Sequence, residues 1–281
     1  MKSSRRVSRL PGGRLFVVAT DEGAARDALE WCRGRNSGDR SAAAGEITFA
    51  GGPAWCKADG LGGRASLRHS LRRALLRRPV PRLAEYSNLA WLVDEGFSCP
   101  EPLAAGVLWR SGLPRWQFLI TRKVAAAPTL RVVLSRPEAK DTTLLGELAA
   151  EVARLHASGF IHRDLFPRNI LVRDMPQGDH GAARRLVFLD TWRGGARWQS
   201  RGVAHDIACL LSHLAQWLGP DELQAWFEAY AARRGALNCP VDARKLARKV
   251  ARQWRALAAR YERRGRGAEL CAWNEGWLPV D

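Results

Sequence analysis

The sequence predicts an α+β fold in which a small, strand-rich N-terminal part precedes a helical C-terminal part. Up to residue 121, short segments rich in β-branched and aromatic residues alternate with turns that contain Gly or Pro. Beyond residue 141, apolar residues recur at helical spacing over long stretches. Small residues and a proline at 125–128 indicate a hinge between the two parts. We therefore expect one domain made of two lobes, residues 1–124 and 125–281.

Local signals define the N-terminal elements. Residues 1–14 are basic and contain glycines, which predicts a loose arm. A helix over 21–32 is predicted after a short strand at 15–19, because Thr20 or Asp21 can cap its first turn. In chain order the patterns then predict a loop at 33–39, a hairpin of strands 46–50 and 54–58 turning at Gly51-Gly52, helices at 64–78 and 83–94, and a second hairpin of strands 103–109 and 116–121.

The C-terminal elements are mostly helical. Leu145, Leu148, Val152 and Leu155 lie on one face of a predicted helix, which ends at Ser158-Gly159. The remaining predicted elements are two short strands at 170–172 and 186–189 and three helices at 203–218, 221–233 and 242–261.

Composition places the chain among ordinary globular proteins, with 46% hydrophobic and 26% charged residues in 281. No apolar run approaches the ~20 residues that span a bilayer, and the run at 15–19 is too short for a secretion signal. We therefore expect a cytoplasmic protein. The six cysteines are scattered and form no C-x-x-C pair, so neither a zinc site nor a disulfide framework is predicted.

The net charge of +17 favours anionic partners, such as an acidic membrane surface. Almost all of the 45 basic residues are arginines, and Ala and Gly are abundant, so GC-rich coding is an alternative source of the charge. Because the charge is dispersed along the chain, we expect peripheral contact with an anionic membrane surface and do not expect nucleic-acid binding.

The loop at 162–169 carries the most specific motif. Asp164 follows the end of a predicted helix and precedes the short strand at 170–172, and Asn169 lies five positions after Asp164, with Arg168 between them. Phosphoryl transfer requires a carboxylate that orients the attacking hydroxyl, an oxygen ligand for a metal ion and a cation near the transferred phosphate. We assign these roles to Asp164, Asn169 and Arg168. Taken alone, Asp164 could be a turn residue, Asn169 a side chain that holds the loop, and Arg168 a solvated surface residue.

Two more segments complete the predicted site. Asp190 follows the apolar strand 186–189, where a buried carboxylate needs a cationic partner, and we assign it to the metal. Lys57 lies on the hairpin strand and can bind nucleotide phosphates, with Glu85 on the next helix as its carboxylate partner. Lys57 could instead be a solvent-facing edge residue. No G-x-G-x-x-G motif occurs, so the loop that covers the phosphates is not assigned.

Two neighbouring residues are expected to have structural roles. Asp206 lies on a predicted apolar helix, and we expect it to accept hydrogen bonds from the backbone of the 162–169 loop. His162 is expected to pack and hydrogen-bond in the same loop, not to act as an acid or a base.

These residues together resemble the protein-kinase-like superfamily over roughly residues 43–215. Within it, the chain looks most like the lipopolysaccharide kinases that phosphorylate Kdo or heptose of the inner core. The cues are Asp-Thr-Trp at 190–192 in place of Asp-Phe-Gly, the short segment from Asp190 to Asp206, and the residues at 82–86 and 96–102. The resemblance implies a two-lobed kinase fold, ATP and Mg²⁺ as cofactors, and an anionic glycolipid or sugar acceptor at the inner face of the cytoplasmic membrane.

Other functions remain open at this stage. A kinase of the same fold could act on protein Ser/Thr or on a soluble small molecule, although the short segment after Asp190 leaves little platform for a peptide. A non-catalytic pseudokinase is disfavoured because Lys57, Asp164, Asn169 and Asp190 are all present.

Overall fold

The computed structural model describes residues 3–10, 13–34, 43–63, 66–67, 69–71, 79–136, 142–174, 184–196, 202–274 and 277–278. The chain divides into two compact units, one of Met1–Ala125 with Thr191–Arg193 and one of Ala126–Asp190 with Gly194–Asp281. The predicted loop at 33–39 and the predicted helix at 64–78 lie largely outside the described residues.

An antiparallel sheet of six strands forms the first unit. The strands are β1 (Ser4–Leu10), β2 (Gly13–Ala19), β3 (Ala43–Phe49), β4 (Gly52–Gly60), β5 (Pro102–Arg110) and β6 (Leu113–Arg122). Their order across the sheet is β1-β2-β5-β6-β4-β3. Both predicted hairpins are present, so the strand-rich character of the N-terminal part is confirmed.

Each face of this sheet packs against a helix. Helix α1 (Glu22–Gly34) begins after Asp21, whose Oδ1 accepts a hydrogen bond from the Ala24 amide at 2.8 Å, as the predicted cap requires. The face that α1 covers includes Leu15, Val17 and Phe118, all fully buried. Helix α2 (Pro81–Asp94) packs on the other face against Val18, Ala105 and Leu119.

Two predictions for this unit are wrong. Residues 4–10 are not a loose arm, because they pair with the whole of β2, from Ser4 opposite Ala19 to Leu10 opposite Gly13. The pairing partner compensates for the weak strand propensity of Arg and Ser. The hairpin turn is made by Ala50 and Gly51, both with positive φ, because Gly52 already pairs with Phe49 in the sheet.

Helices dominate the second unit, as predicted. They are α3 (Leu130–Leu134), α4 (Thr142–Ala157), α5 (Val203–Leu214), α6 (Pro220–Ala236) and α7 (Ala243–Glu262). Strand β7 (Phe160–Ile161) pairs with β10 (Gly195–Ala196), and β8 (Ile170–Asp174) pairs with β9 (Arg184–Phe188). The short helix α3, capped by Thr129, was not predicted. Among the described helices, none combines the length and the apolar character that crossing a bilayer requires.

Candidate active site

The loop between β7 and β8 is held by one buried carboxylate. Asp206, on α5, accepts hydrogen bonds from the backbone amides of His162 and Arg163, both at 2.7 Å. Arg163 has φ of +63°, an unfavourable conformation for a residue with a side chain, and its bond to Asp206 supports it. The expected structural role of Asp206 therefore matches its contacts.

The environment of Asp206 keeps it ionised. Burial by itself raises the pKa of this carboxyl group, but the hydrogen bond from His156, the charges of His156 and His162 and the backbone bond from His162 outweigh it. The pKa therefore lies below its ordinary value of 3.8. An ionised acceptor makes the two amide bonds stronger than bonds to a neutral oxygen would be.

Asp164, Arg168 and Asn169 are brought together inside this loop. Asn169 Nδ2 donates hydrogen bonds to the Asp164 carbonyl oxygen at 2.8 Å and to Asp164 Oδ2 at 3.2 Å. Arg168 Nη2 lies 3.8 Å from Asp164 Oδ1. Because the amide nitrogen of Asn169 holds the loop, its amide oxygen is the atom that could bind a cation.

Backbone contacts connect Asp190 to the same loop. The Leu189 amide donates to the Asn169 carbonyl oxygen at 2.9 Å, and His162 Nε2 lies 2.9 Å from the Leu189 carbonyl oxygen. Asp190 follows directly and has φ of +57°. Positive φ thus occurs at the predicted site residue Asp190 and at Arg163, directly before Asp164, as is common where function imposes strain.

Glycines permit close packing after Asp190. A Cβ atom on Gly194 would lie 2.7 Å from the Ile161 carbonyl oxygen, and one on Gly202 would lie 2.2 Å from Ile161 Cγ2. Only glycine fits at these two positions, where the segment after Asp190 packs against β7.

Phe166 occupies the position where protein kinases usually carry a lysine. Its ring is buried in a cluster with Cys209, Leu257, Tyr261 and Leu270, so this position serves the core here. The guanidinium of Arg168 lies 4.2 Å from the centroid of the Phe166 ring. The cation near Asp164 therefore comes from position 168, as the sequence predicts.

Near Phe166 and Arg168, the positive charges at neutral pH come from arginines and not from histidine. Burial, and then the positive charges of Arg168 and Arg131, lower the pKa of His213 to about 4. His213, whose ring centroid lies 4.8 Å from that of Phe166, is therefore neutral near pH 7. Arg266 stacks on Tyr261, whose ring centroid is 6.1 Å from that of Phe166.

A second cluster of charges lies in the first unit. Lys57 Nζ donates to Glu85 Oε1 at 2.9 Å, which is the pair expected from the sequence. Lys57 is not on an edge strand, because β4 lies between β3 and β6. Glu85 Oε2 also accepts from Arg82 Nη1 at 2.7 Å, and Arg82 Nε donates to Asp59 Oδ2 at 2.6 Å.

Arg82 and Asp59 were not predicted as part of this cluster. The spacing of Arg82 and Glu85, three apart on one helix, was a usable signal. Burial acts to lower the pKa of Arg82, but the hydrogen bond to Asp59 and the charges of Glu85 and Asp59 outweigh it and raise this pKa. Arg82 thus stays charged and fixes Glu85, whose other oxygen holds Lys57.

Comparison with known proteins assigns the fold and the family. A model described as the lipopolysaccharide kinase (Kdo/WaaP) family matches residues 63–230, which is more than half of the chain. No curated protein matches. A solved structure titled "WaaP in complex with acyl carrier protein" is 19% identical, with a TM-score of 0.56 over 86% of this chain and 98% of that chain.

Two further structures are more distant. The Rio2 kinase of Chaetomium thermophilum with ADP, Mg²⁺ and phosphoaspartate is 19% identical, with a TM-score of 0.42, over 94% of this chain and 72% of that chain. A glucosamine kinase with glucosamine, ADP and inorganic phosphate is 12% identical, with a TM-score of 0.46, over 95% and 91%. The family match, which includes the loop with Asp164, and the WaaP-like fold show that the chain belongs to the lipopolysaccharide kinase (Kdo/WaaP) family and is an ATP-dependent kinase with a protein-kinase-like fold.

Proposed function

We propose that this kinase transfers the γ-phosphoryl group of ATP to a sugar hydroxyl, Kdo or heptose, of the lipopolysaccharide inner core. Asp164 orients the acceptor hydroxyl and accepts its proton late in the transfer. Arg168 faces the transferred phosphoryl group, and Lys57, fixed by Glu85, binds the phosphates of the nucleotide.

The side chains of Asn169 and Asp190, in the second unit, offer oxygen atoms of the kind that bind Mg²⁺. Mg²⁺ prefers hard oxygen ligands, and in proteins it is usually held by one or two carboxylates together with substrate phosphates. Asn169 and Asp190 offer an amide oxygen and a carboxylate on residues connected through the Leu189 amide. When bound, Mg²⁺ would neutralise charge on the phosphates.

The proposed acceptor is argued from the positively charged side chains near the 162–169 loop. The positive charges of Arg168 and Arg131 lower the pKa of the buried His213, whereas the charge of Arg266, which stacks on Tyr261, is offset by its ion pair with Glu269. An acceptor that carries carboxylate or phosphate groups, such as an acidic inner-core sugar, gains attraction from these charges that a neutral sugar lacks. The short segment from Asp190 to α5 supports a sugar over a peptide, since it offers little length for a peptide-docking platform.

Exposed cations on α7 support peripheral contact with an anionic membrane. The aromatic side chains of this helix, Trp254 and Tyr261, are buried, so they cannot stack on bases, as single-stranded nucleic acid requires. Cations near an anionic bilayer contribute about 1 kcal/mol each. The exposed face of the helix carries Arg244, Lys245, Arg248, Arg252, Arg255 and Arg260.

Removing the carboxylate of Glu85 is expected to weaken ATP binding. At 100 times its Kd, Mg²⁺-ATP should stabilise the native protein by about 2.7 kcal/mol, or about 5 °C in Tm. In Glu85→Gln, Lys57 loses its charged partner, and a roughly 10-fold higher Kd should halve this shift at the same ATP concentration. Thermal denaturation with and without Mg²⁺-ATP measures this shift in Tm.

The matched control is Glu101→Gln, which removes a carboxylate from an exposed pair with Arg122 in the same unit. Exposed pairs contribute little, so its ATP-induced shift should equal that of the wild type. An unchanged shift in Glu85→Gln would remove Lys57 and Glu85 from the nucleotide site.

The acceptor is tested by supplying three substrates side by side with ATP. Purified inner-core glycolipid should be phosphorylated with kcat/KM at least ~10-fold above a generic protein and a free amino sugar. Arg168→Gln should lower kcat/KM for the glycolipid about 10-fold or more, whereas Arg173→Gln, an exposed arginine of the same unit, should not. Preferential labelling of the protein or of the free sugar would replace the proposed acceptor.

A further inference from the structure

A large groove in the first unit lies apart from the Lys57 cluster. Its volume is about 1030 Å³, comparable to the larger ligand pockets of proteins. Strands β1, β2 and β5, the turn at Ser111-Gly112, residues 79–80 before α2 and two residues of that helix, Leu83 and Ser87, line it. Neither Lys57 nor Glu85 is among the lining residues, so the proposed chemistry does not use this groove.

Strand register explains the composition of its floor. Val7 lies opposite Phe16, and Phe16 lies opposite Val107, so three apolar side chains form one row across β1, β2 and β5. Two residues further along each strand, Arg9 lies opposite Arg14, which lies opposite Trp109 on the same face. An apolar row is thus bordered by a row that begins with two arginines.

The arginine row needs a negative charge from elsewhere. Like charges directly opposite each other on neighbouring strands are destabilising. Arg5, on β1, and Arg110, at the end of β5, bring the number of arginines in the lining to four. Within the part of the chain that the structure describes, none of these four arginines pairs with a carboxylate, whereas Arg6, on the other face of β1, pairs with Glu22.

The apolar row is partly covered, since Val107 is fully buried and Phe16 is half-buried, whereas Val7 is largely exposed. On the opposite face, α1 buries Leu15 and Val17 completely. On the groove face, α2 packs over Val18, Ala105 and Leu119 but leaves Val7 with 68% of its surface exposed. Val7 and the half-buried Phe16 therefore offer apolar surface to a ligand in the groove.

We propose that this groove binds one anionic phospholipid, with its acyl chain over Val7 and Phe16 and its phosphate on Arg9, Arg14 and Arg110. A free inorganic anion is not the preferred ligand, because it would leave Val7 and the exposed part of Phe16 in water. The arginines favour an anionic lipid over a neutral one by charge complementarity. The ligand is distinct from the sugar acceptor and from ATP.

The first test uses soluble short-chain lipids without nucleotide, so its outcome is independent of phosphoryl transfer. Dihexanoyl phosphatidylglycerol below its aggregation concentration, titrated by calorimetry, should bind the full-length protein more tightly than dihexanoyl phosphatidylcholine. Arg9→Gln/Arg14→Gln should weaken phosphatidylglycerol binding about 30-fold, the effect of two charges. The matched control, Arg26→Gln/Arg33→Gln on α1, changes the net charge equally and should leave binding unchanged.

The second test addresses the apolar row. Dioctanoyl phosphatidylglycerol should bind at least ~10-fold more tightly than the dihexanoyl lipid, since each added methylene favours burial. Val7→Asn should reduce this gain, and it should fold because Val7 is largely exposed. The exposed Val132→Asn in the second unit is the control. Equal binding of both headgroups, equal binding of glycerol phosphate, or no gain with chain length would each overturn the proposal.

Discussion

Replacing Asp164 with asparagine is expected to lower kcat at least ~100-fold, the usual contribution of a positioned general base. Asparagine is isosteric but cannot accept the proton of the acceptor hydroxyl. The bond from Asn169 Nδ2 to the Asp164 backbone carbonyl does not involve the mutated side chain, so the loop should keep its conformation. The measurement is kcat with saturating ATP and glycolipid, together with Tm, which should change little.

The matched control is Asp27→Asn, the same change on the exposed face of α1, where the ion pair with Arg26 is as long as 4.0 Å. It should leave both kcat and Tm unchanged. If Asp164→Asn retained activity within ~10-fold of the wild type, Asp164 would not be the positioning base.

The largest expected effect on stability comes from Asp206→Ala. This change removes the fully buried carboxylate that accepts from the buried His162 amide and from the partly buried Arg163 amide. Each orphaned donor costs about 1–3 kcal/mol, so the free energy of unfolding should fall by about 3 kcal/mol or more. In urea denaturation, this loss should lower the midpoint and leave unchanged the slope of the unfolding free energy against urea concentration.

Ser212→Ala provides the control on the same buried helix. Its hydroxyl donates to the Cys209 carbonyl oxygen at 3.3 Å, and its loss should cost about 1 kcal/mol or less. A loss in Asp206→Ala no larger than that in Ser212→Ala would contradict the role of the carboxylate in holding the loop.

The contribution of Asp206 to the free energy of unfolding should also depend on pH. Because its pKa is lower in the folded state, the unfolded chain takes up the proton first as the pH falls. The stability from the ionised carboxylate is fully present above its unfolded-state pKa of about 3.9 and is lost as the pH falls through the lower folded-state pKa. The difference in unfolding free energy between the wild type and Asp206→Ala should therefore shrink below pH ~4.

Local signals were enough to predict that Asp164 and Asn169 lie together in the second unit. Asp164 and Asn169 are five positions apart in one loop, so a single turn of chain brings them into contact. The pair of Lys57 and Glu85 was also predicted, because a strand lysine and a helix carboxylate are what a phosphate-binding cation needs. The place of Arg82 in this cluster was not predicted, because its second partner, Asp59, is 23 residues away on β4.

Residues 4–10 show where local reasoning failed. Their arginines and serines have little strand propensity, and the strand exists because β2 supplies a pairing edge. The same pairing places Arg9 against Arg14 and Val7 against Phe16, which creates the groove. Dispersed charge in the sequence likewise becomes one exposed basic face on α7 only when the helix buries its apolar face.

Periodicity of the apolar residues predicted the α+β fold, short spacing predicted the contact between Asp164 and Asn169, and the motifs resembled the kinase family that the comparison shows. Only the folded chain reveals which arginine holds Glu85 and which strand borders the sheet. These depend on contacts between residues far apart in the chain, where pairing and burial overrule the preference of each residue for its own local conformation.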